Sequence, residues 1–428
     1  MRLLLLTHYY APEFGAPQRR WSALVQRFIA AGHRVTVAAP VPHYPSGRPT
    51  PTQSRMHRVG GVETGRHGET ILRTAFLPHR ADIASRTADH LIAAADALRR
   101  LRHRYSRPGT RPDVIIATAP AIPTLMVGRT LASLWGVPLV VEMRDAWPDL
   151  VTHVGPVGAL SPEVAHTVHR SALRRALSWA VALVKGEVHH QVTGWQSGAR
   201  AVVTTTGRFA EVLQERGVET VRVVRNGTDL SSVRPQHDHL PGDHPELRCL
   251  YLGNMGRSQG LDTVVRAAAA LHQQGVDVRV RMVGHGVEAP TLAALAYELG
   301  APVEVIPRIP HREVGAQYAW ADTVVVSLRD WAPFAWTVPS KLYEMLATGR
   351  HITALLDGEA ADVVREAGAG DVLPPEDVDA LTDLWRELAA ERSRAGVRAS
   401  GRDWVAEHAD DDVLARRYLE ILHGVTGA

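Results

Sequence analysis

The chain has 428 residues, too many for one ordinary hydrophobic core and enough for two or three domains. Its formal net charge is only +3, so a pI near 9.2 reflects arginine-rich composition and not the basic excess of a nucleic-acid binder. One cysteine, Cys249 in the run LRCLYLG, excludes an intramolecular disulfide and reads as a packed core residue in a reducing compartment.

The apolar run Leu3–Leu6 meets Thr7 and His8 at once, which is too short for a signal-peptide core. No stretch reaches the roughly 18 uninterrupted apolar residues of a membrane span. Val114–Gly128 lacks charge only over a shorter length broken by prolines. These features point to a cytoplasmic protein. Histidine is frequent, at 22 residues, but no HExxH spacing or matching carboxylate cluster is legible, so no metal site and no cofactor are expected.

Arg2–Thr7 predicts a strand, Gln18–Ala31 a helix ended by Gly32, and Arg34–Ala39 a second strand, together a βαβ unit. The intervening loop HYYAPEFGAP lacks both GxGxxG and GxxxxGK[ST], which weakens dehydrogenase and NTPase readings. Gly15 in that loop can still bring backbone close to a ligand. The segment Arg86–Arg107 clusters Arg99, Arg100, Arg102 and Arg104. It reads as a solvated helix face, with contact to an anionic membrane surface as the alternative.

Val114–Thr118, a helix through Leu125–Trp135 and the strand Leu139–Met143 repeat the pattern, and the last strand ends in MRDAWPD. Catalytic groups of parallel sheets gather outside the carboxyl ends of strands, where Arg144 and Asp145 stand. The alternative is a salt bridge and turn cap. Val202–Thr205 and Val221–Val224 complete the first half, and the polar stretch Gln236–His244 is the best linker. Beyond it come a strand at Leu247–Leu252, the loop GNMGRSQG, a helix at Leu261–Gln273, and strands at Val278–Val283, Val303–Ile306 and Thr323–Ser327. Trp404–Leu422 predicts one terminal helix.

Among 48 basic residues only Lys185 and Lys341 are lysines. Lys341 lies in TVPSKLYEMLATG, a helix entered through Pro339 and Ser340. A bound anion at that helix start, such as a diphosphate, is favoured by the dipole and the free N–H groups. Glu344, on the same face, suits a pair of sugar hydroxyls. A surface pair between Lys341 and Glu344 is the competing reading.

The ordered set YYAPEFGAPQRRW, AAGHRVTVAAPVPHYPSG, VVEMRDAWPD, VVRNGTDL, YLGNMGRSQGLDTV, MVGHGV and VPSKLYEMLATG resembles the family 4 nucleotide-sugar glycosyltransferases, most closely the L-fucosamine-transferase branch. The resemblance implies an α/β protein of GT-B type, two Rossmann-like domains facing a cleft, with a C-terminal helix crossing back to the first domain. The implied division is 1–225 for acceptor binding, 226–246 as linker, 247–403 for the donor, and 404–428 as the returning helix.

Carried over by position, Gly253, Asn254, Gly256 and Arg257 approach the donor diphosphate, and Gly284 and Arg308 border the base. Ser340 and Lys341 open the donor helix, Glu344 holds the ribose hydroxyls, and Gly15, Ala16 and Arg20 form the acceptor and diphosphate loop. Trp336 stands where the family has its first motif glutamate, Thr118 where many members have histidine, and Asn254 and Gln259 where an arginine and a lysine are usual. Lys341, with Arg257, is therefore expected to stabilise the leaving diphosphate. Asp145, with Arg144 beside it, is expected to contact the reacting sugar or acceptor hydroxyl.

The implied reaction is transfer from a UDP-sugar or related donor to a sugar, lipid-linked or small-molecule acceptor, with retention of configuration. No nucleic-acid partner is expected, and peripheral contact with the inner membrane face stays open. A nucleotide-sugar epimerase and a non-catalytic partner of another transferase are the competing readings.

Overall fold

A computed structural model describes residues 1–80, 82–144, 191–240 and 243–427. They form two compact units, unit 1 comprising Met1–Arg225 with Leu414–Ala428, and unit 2 comprising Asn226–Val413.

Unit 1 is built on strands β1 (Arg2–Leu6), β2 (Arg34–Pro40), β3 (Val62–Thr64), β4 (Thr70–Thr74), β5 (Val114–Thr118), β6 (Leu139–Met143), β7 (Ala201–Thr204) and β8 (Val221–Val223). Their order is β3-β4-β2-β1-β5-β6-β7-β8, parallel throughout except between β3 and β4. Every residue of β5 and β6 is buried, which is why these strands read as continuous apolar runs and not as alternating ones. Helices α1 (Ala16–Ala30), α2 (Pro51–Met56), α3 (Ile83–Arg104), α4 (Ile122–Trp135) and α5 (Gly207–Glu215) accompany the sheet.

Both α1 and α4 begin earlier than periodicity predicts, because each carries proline in its first turn, where a missing N–H costs no helical bond. The short strands β3 and β4 went unanticipated. Arg73 occupies a buried strand position, donating through Nε to Glu63 Oε2 at 2.9 Å and through Nη2 to the Ala11 carbonyl at 2.8 Å. A charged residue in that place erases the apolar signal.

Unit 2 contains β9 (Leu247–Asn254), β10 (Val278–His285), β11 (Val303–Pro307), β12 (Thr323–Ser327), β13 (His351–Leu355) and β14 (Gly370–Leu373). All pair parallel, in the order β11-β10-β9-β12-β13-β14. Its helices are α6 (Asp262–Gln273), α7 (Ala289–Glu298), α8 (His311–Trp320), α9 (Ser340–Thr348), α10 (Gly358–Glu366), α11 (Val378–Ala390) and α12 (Ser400–His408). Cys249 is fully buried in the core of this unit.

The stretch 226–246 is not a free connector where it is described. Thr228 N–H donates to the Ala409 carbonyl at 3.0 Å and Gln236 N–H to the Thr348 carbonyl at 2.8 Å, fastening it to unit 2. The expected single terminal helix is two, α12 and α13 (Asp411–Thr426). Asp410 makes the break: its backbone bridges to Thr228, and its carboxylate accepts from Asp412 N–H at 2.9 Å and Leu230 N–H at 3.3 Å.

Helix α13 buries Leu414, Ala415, Tyr418 and Leu422 in the core of unit 1. The Tyr418 ring lies 5.9 Å from Trp21 and 5.7 Å from Phe28, in a tilted aromatic cluster. Tyr418→Ala should destabilise unit 1 by about 3–5 kcal/mol, the range for emptying a buried aromatic site. Tyr418→Phe keeps the ring contacts and should shift the urea midpoint much less.

Candidate functional site

In unit 2 the strand order places β9 between β10 and β12. From β9 the chain builds outward through β10 and β11, then returns to β12 and builds outward the other way through β13 and β14. The loops leaving the carboxyl ends of β9 and β12 therefore diverge, and a crevice at such a switch point is where open parallel sheets bind ligands.

The β9 exit is Gly253–Gly260. Gly253 and Asn254 pair in register with Gly284 and His285 of β10. A Cβ at Gly284 would sit 1.8 Å from the Gly253 carbonyl oxygen, and one at Gly286 would sit 2.1 Å from that of Met255. Only glycine permits this approach. Gly284 also pairs with Pro307, so Arg308, exposed just past β11, flanks it.

The loop is fixed from the β12 side. Ser327 Oγ donates to the Gln259 carbonyl at 2.6 Å, Arg329 N–H to that of Ser258 at 2.9 Å, and Arg329 Nε to that of Arg257 at 2.7 Å. Gly256 N–H donates to Gln259 Oε1 at 3.0 Å. Beside the loop lies a cavity of about 410 Å³ lined by Gly256, Gly260, Asp262, Arg266, Glu288 and Arg329. Arg257 is exposed, its Nε 3.6 Å from Glu288 Oε1.

Beyond β12, a short 3-10 turn at Ala332–Trp336 leads to α9, whose N-cap is Pro339. Ser340 and Lys341 start this helix as expected. The Lys341 ammonium, however, is 2.7 Å from Glu344 Oε1, and the Tyr318 hydroxyl donates to the same oxygen at 3.1 Å. Lys341 Nζ also stands 5.9 Å from the Tyr318 ring centroid. Lys341 and Glu344 thus form the ion pair that the sequence offers as the competing reading. Glu344 Oε2 takes part in neither contact. Burial, and after it the Glu344 carboxylate, push the Tyr318 hydroxyl well above its ordinary pKa, so it stays a hydrogen-bond donor. Tyr318 and Arg329 were missed in the sequence, where no motif marks either.

Unit 1 has its own switch point between β1 and β5. Gly15 caps α1 with extended backbone, a Cβ there would meet Gln18 Oε1 at 2.5 Å, and Ala16 next to it is exposed. Arg20 is not part of an acceptor loop. It is buried, donating through Nε to Glu142 Oε1 at 2.6 Å and through Nη2 to the Val224 carbonyl at 3.0 Å, with the Arg225 carbonyl taking Nη1. Its charge serves the junction of α1, β6 and the end of β8.

Arg144, just past β6, is buried, and its carbonyl accepts from Thr205 Oγ1 at 2.9 Å. Asp145 lies outside the described residues. Thr118 closes β5, its hydroxyl donating to the Ala119 carbonyl at 2.9 Å. Of the four clustered arginines, Arg99 and Arg100 pair with Asp96 at 2.8 and 2.6 Å, while Arg102 and Arg104 are exposed. Among the described residues no helix is long and apolar enough to cross a membrane.

Residues 246–391, most of unit 2, match the family model described as Glycosyl transferases group 1. A GDP-mannose-dependent alpha-(1-6)-phosphatidylinositol monomannoside mannosyltransferase of Mycolicibacterium smegmatis is 28% identical over 213 residues, covering 49% of this chain and 55% of that protein. The match therefore spans about half of that relative's length. The putative colanic acid biosynthesis glycosyl transferase WcaI of Escherichia coli is 23% identical over 99% of this chain and 100% of its own length. Among solved structures, sucrose-phosphate synthase from Thermosynechococcus elongatus superposes with a TM-score of 0.70 at 17% identity, covering 100% of this chain and 99% of that one. Anabaena HepE, in complex with UDP and glucose, gives 0.65 at 15% identity, covering 98% of each chain. The fold is GT-B, with two Rossmann-like α/β units.

Arg20→Ala should cost unit 1 about 3–5 kcal/mol, because it leaves Glu142 buried without its charge partner. Arg20→Met combined with Glu142→Leu should recover most of that loss in urea unfolding. Weaker acceptor binding by Arg20→Ala at unchanged stability would contradict this assignment.

Proposed function

We propose that this chain is a glycosyltransferase that moves a sugar from a nucleoside-diphosphate sugar, a UDP-sugar in the first instance, to an acceptor hydroxyl with retention of configuration. The acceptor belongs to surface-polysaccharide, glycolipid or natural-product assembly. The observation that carries this reading is the switch point of unit 2, where a glycine loop held rigid by Ser327 and Arg329 meets the segment leading into α9. The family match covers the same unit.

The backbone of Gly253, Asn254 and Gly256 approaches the diphosphate, Gly284 and Arg308 border the base, and Glu344 receives the ribose hydroxyls. Without donor, Lys341 and Glu344 satisfy one another. With donor bound, Lys341 turns to the diphosphate, with Ser340 and Arg257, and Glu344 turns to the ribose, so each gains a partner as it gives one up. The leaving phosphate takes the acceptor proton, and the protein contributes positioning and charge stabilisation. Unit 1 takes the acceptor, and Gly15, Ala16, Arg144 and Asp145 are the residues assigned to it. The donor is itself the activated species, so no further cofactor is invoked. A UDP-bound neighbour of the same fold supports uridine, and the GDP-mannose-dependent relative makes guanosine the first competitor.

Thermal unfolding with UDP, GDP, dTDP and ADP in parallel tests the donor. A nucleotide at a hundred times its dissociation constant should add about 2.7 kcal/mol. A shift with UDP alone is expected, and no shift with any nucleotide would remove the donor site. Glu344→Ala should weaken nucleotide binding about 10- to 100-fold, the loss of charged hydrogen bonds worth about 1.5–3 kcal/mol. Lys341→Ala should lower kcat by about 10²–10³. Product analysis separates the alternatives: an epimerised donor without acceptor marks an epimerase, and binding without turnover marks a non-catalytic partner.

A further inference from the structure

Unit 1 buries a cluster that the proposed reaction does not use. His8 follows β1, His43 follows β2, His79 lies between β4 and α3, and Asp89 projects from α3. Asp89 Oδ2 is 2.9 Å from His8 Nε2, 3.0 Å from His43 Nε2 and 3.9 Å from His79 Nε2. The side chains are 3%, 2%, 11% and 0% exposed for His8, His43, His79 and Asp89.

The far side of each ring decides what the near side offers. His43 Nδ1 is 2.7 Å from the Val41 carbonyl oxygen and His79 Nδ1 is 2.8 Å from that of Arg80. A carbonyl only accepts, so both Nδ1 atoms carry hydrogen, and a neutral ring then presents the Nε2 lone pair toward Asp89. Imidazoles that bind metals are oriented by such a bond from the other nitrogen.

His8 is the second observation. Its Nε2 is buried, lies 2.9 Å from Asp89 Oδ2 and has no polar partner besides it. Asp89 is oriented as well, since its Oδ1 accepts from Leu77 N–H at 2.7 Å.

We propose that His8, His43 and Asp89, whose ligand atoms all lie within 4.8 Å of one another, form a binding site for a divalent transition metal of zinc's class. A nitrogen-rich set with one carboxylate suits zinc and not the all-oxygen shells of calcium or magnesium. The 2.9 and 3.0 Å contacts from Asp89 Oδ2 are slightly shorter than the roughly 3.3 Å edge of a tetrahedron with bonds of about 2.0–2.1 Å, so the ring nitrogens draw back slightly as the ion enters. The ion takes the Nε2 lone pair of each histidine, and a proton held there is released to solvent on binding. The ion joins the loops after β1 and β2 to α3, and so fixes the Thr7–Gly15 loop.

A second cluster, His239, His244 and Asp322, is the internal control. There Arg392 Nη2 stands 2.6 Å from Asp322 Oδ2 and 3.1 Å from His244 Nδ1, placing a guanidinium where a metal would have to sit.

The test is titration of the full chain, stripped with EDTA and dialysed, with cobalt(II) chloride while the visible d–d absorption is recorded. A stoichiometric band, displaced by zinc, is expected. It should vanish in His8→Gln and persist in His239→Gln, with both variants folded by circular dichroism. No band in the wild-type chain overturns the proposal without recourse to any variant. A band that survives in His8→Gln, or that is lost in His239→Gln instead, overturns it as well.

Discussion

The parallel ladder is the constraint on which the rest of this molecule depends. Strands that all run one way must release every loop at the same edge, so chemistry-bearing loops are collected without any long-range design. The reversal of strand order then parts two of them, at β1 and β5 in unit 1 and at β9 and β12 in unit 2. In unit 2 the space so made is bounded by glycines whose side chains could not exist: a Cβ on Gly284 or Gly286 would overlap a carbonyl oxygen of the β9 exit. Packing removes the side chains from this corner and leaves backbone at its surface.

Rigidity in that corner comes from β12. Arg329 fixes the Arg257–Gln259 turn through two carbonyls and anchors itself on Glu376 and Asp262. The loop thus bears little of the ordering cost that a flexible phosphate loop would meet on binding. The same economy appears in Lys341 and Glu344, which are only partly exposed and would otherwise hold opposite charges apart in a partly dehydrated place.

Much of the parallel framework was legible because buried parallel strands are largely apolar runs: β5 and β12 carry no charge, β6 and β9 one charged residue each, and β10 alternates valine with Arg279 and Arg281. The glycine loop and the Lys341 helix were legible through spacing. What stayed hidden depended on tertiary contact. Arg73 is a core residue only because Glu63 and the Ala11 carbonyl surround its guanidinium. Arg20 looked like a ligand contact, since nothing local reveals that Glu142, 122 residues away, receives it. The break before α13 needs Thr228 as a partner, and His8, His43 and His79 reach Asp89 from separate segments. Such pairings have no periodicity and leave no local trace.

The retention of lysine at position 341, in a chain that otherwise favours arginine, has a physical reading in this geometry. A guanidinium at that place would engage Glu344 through two parallel bonds and occupy both carboxylate oxygens. An ammonium is a point charge on a flexible stem; it holds Oε1, leaves Oε2 outside the pair, and turns to a new anion by rotation about its own bonds. Tyr318 donates to the same Oε1 and so helps fix the orientation of the carboxylate. The ion pair keeps the two charges compensated. In the function proposed above, a ligand that carries an anion and hydroxyls together would engage both, whereas one with only one of the two would strand the other charge.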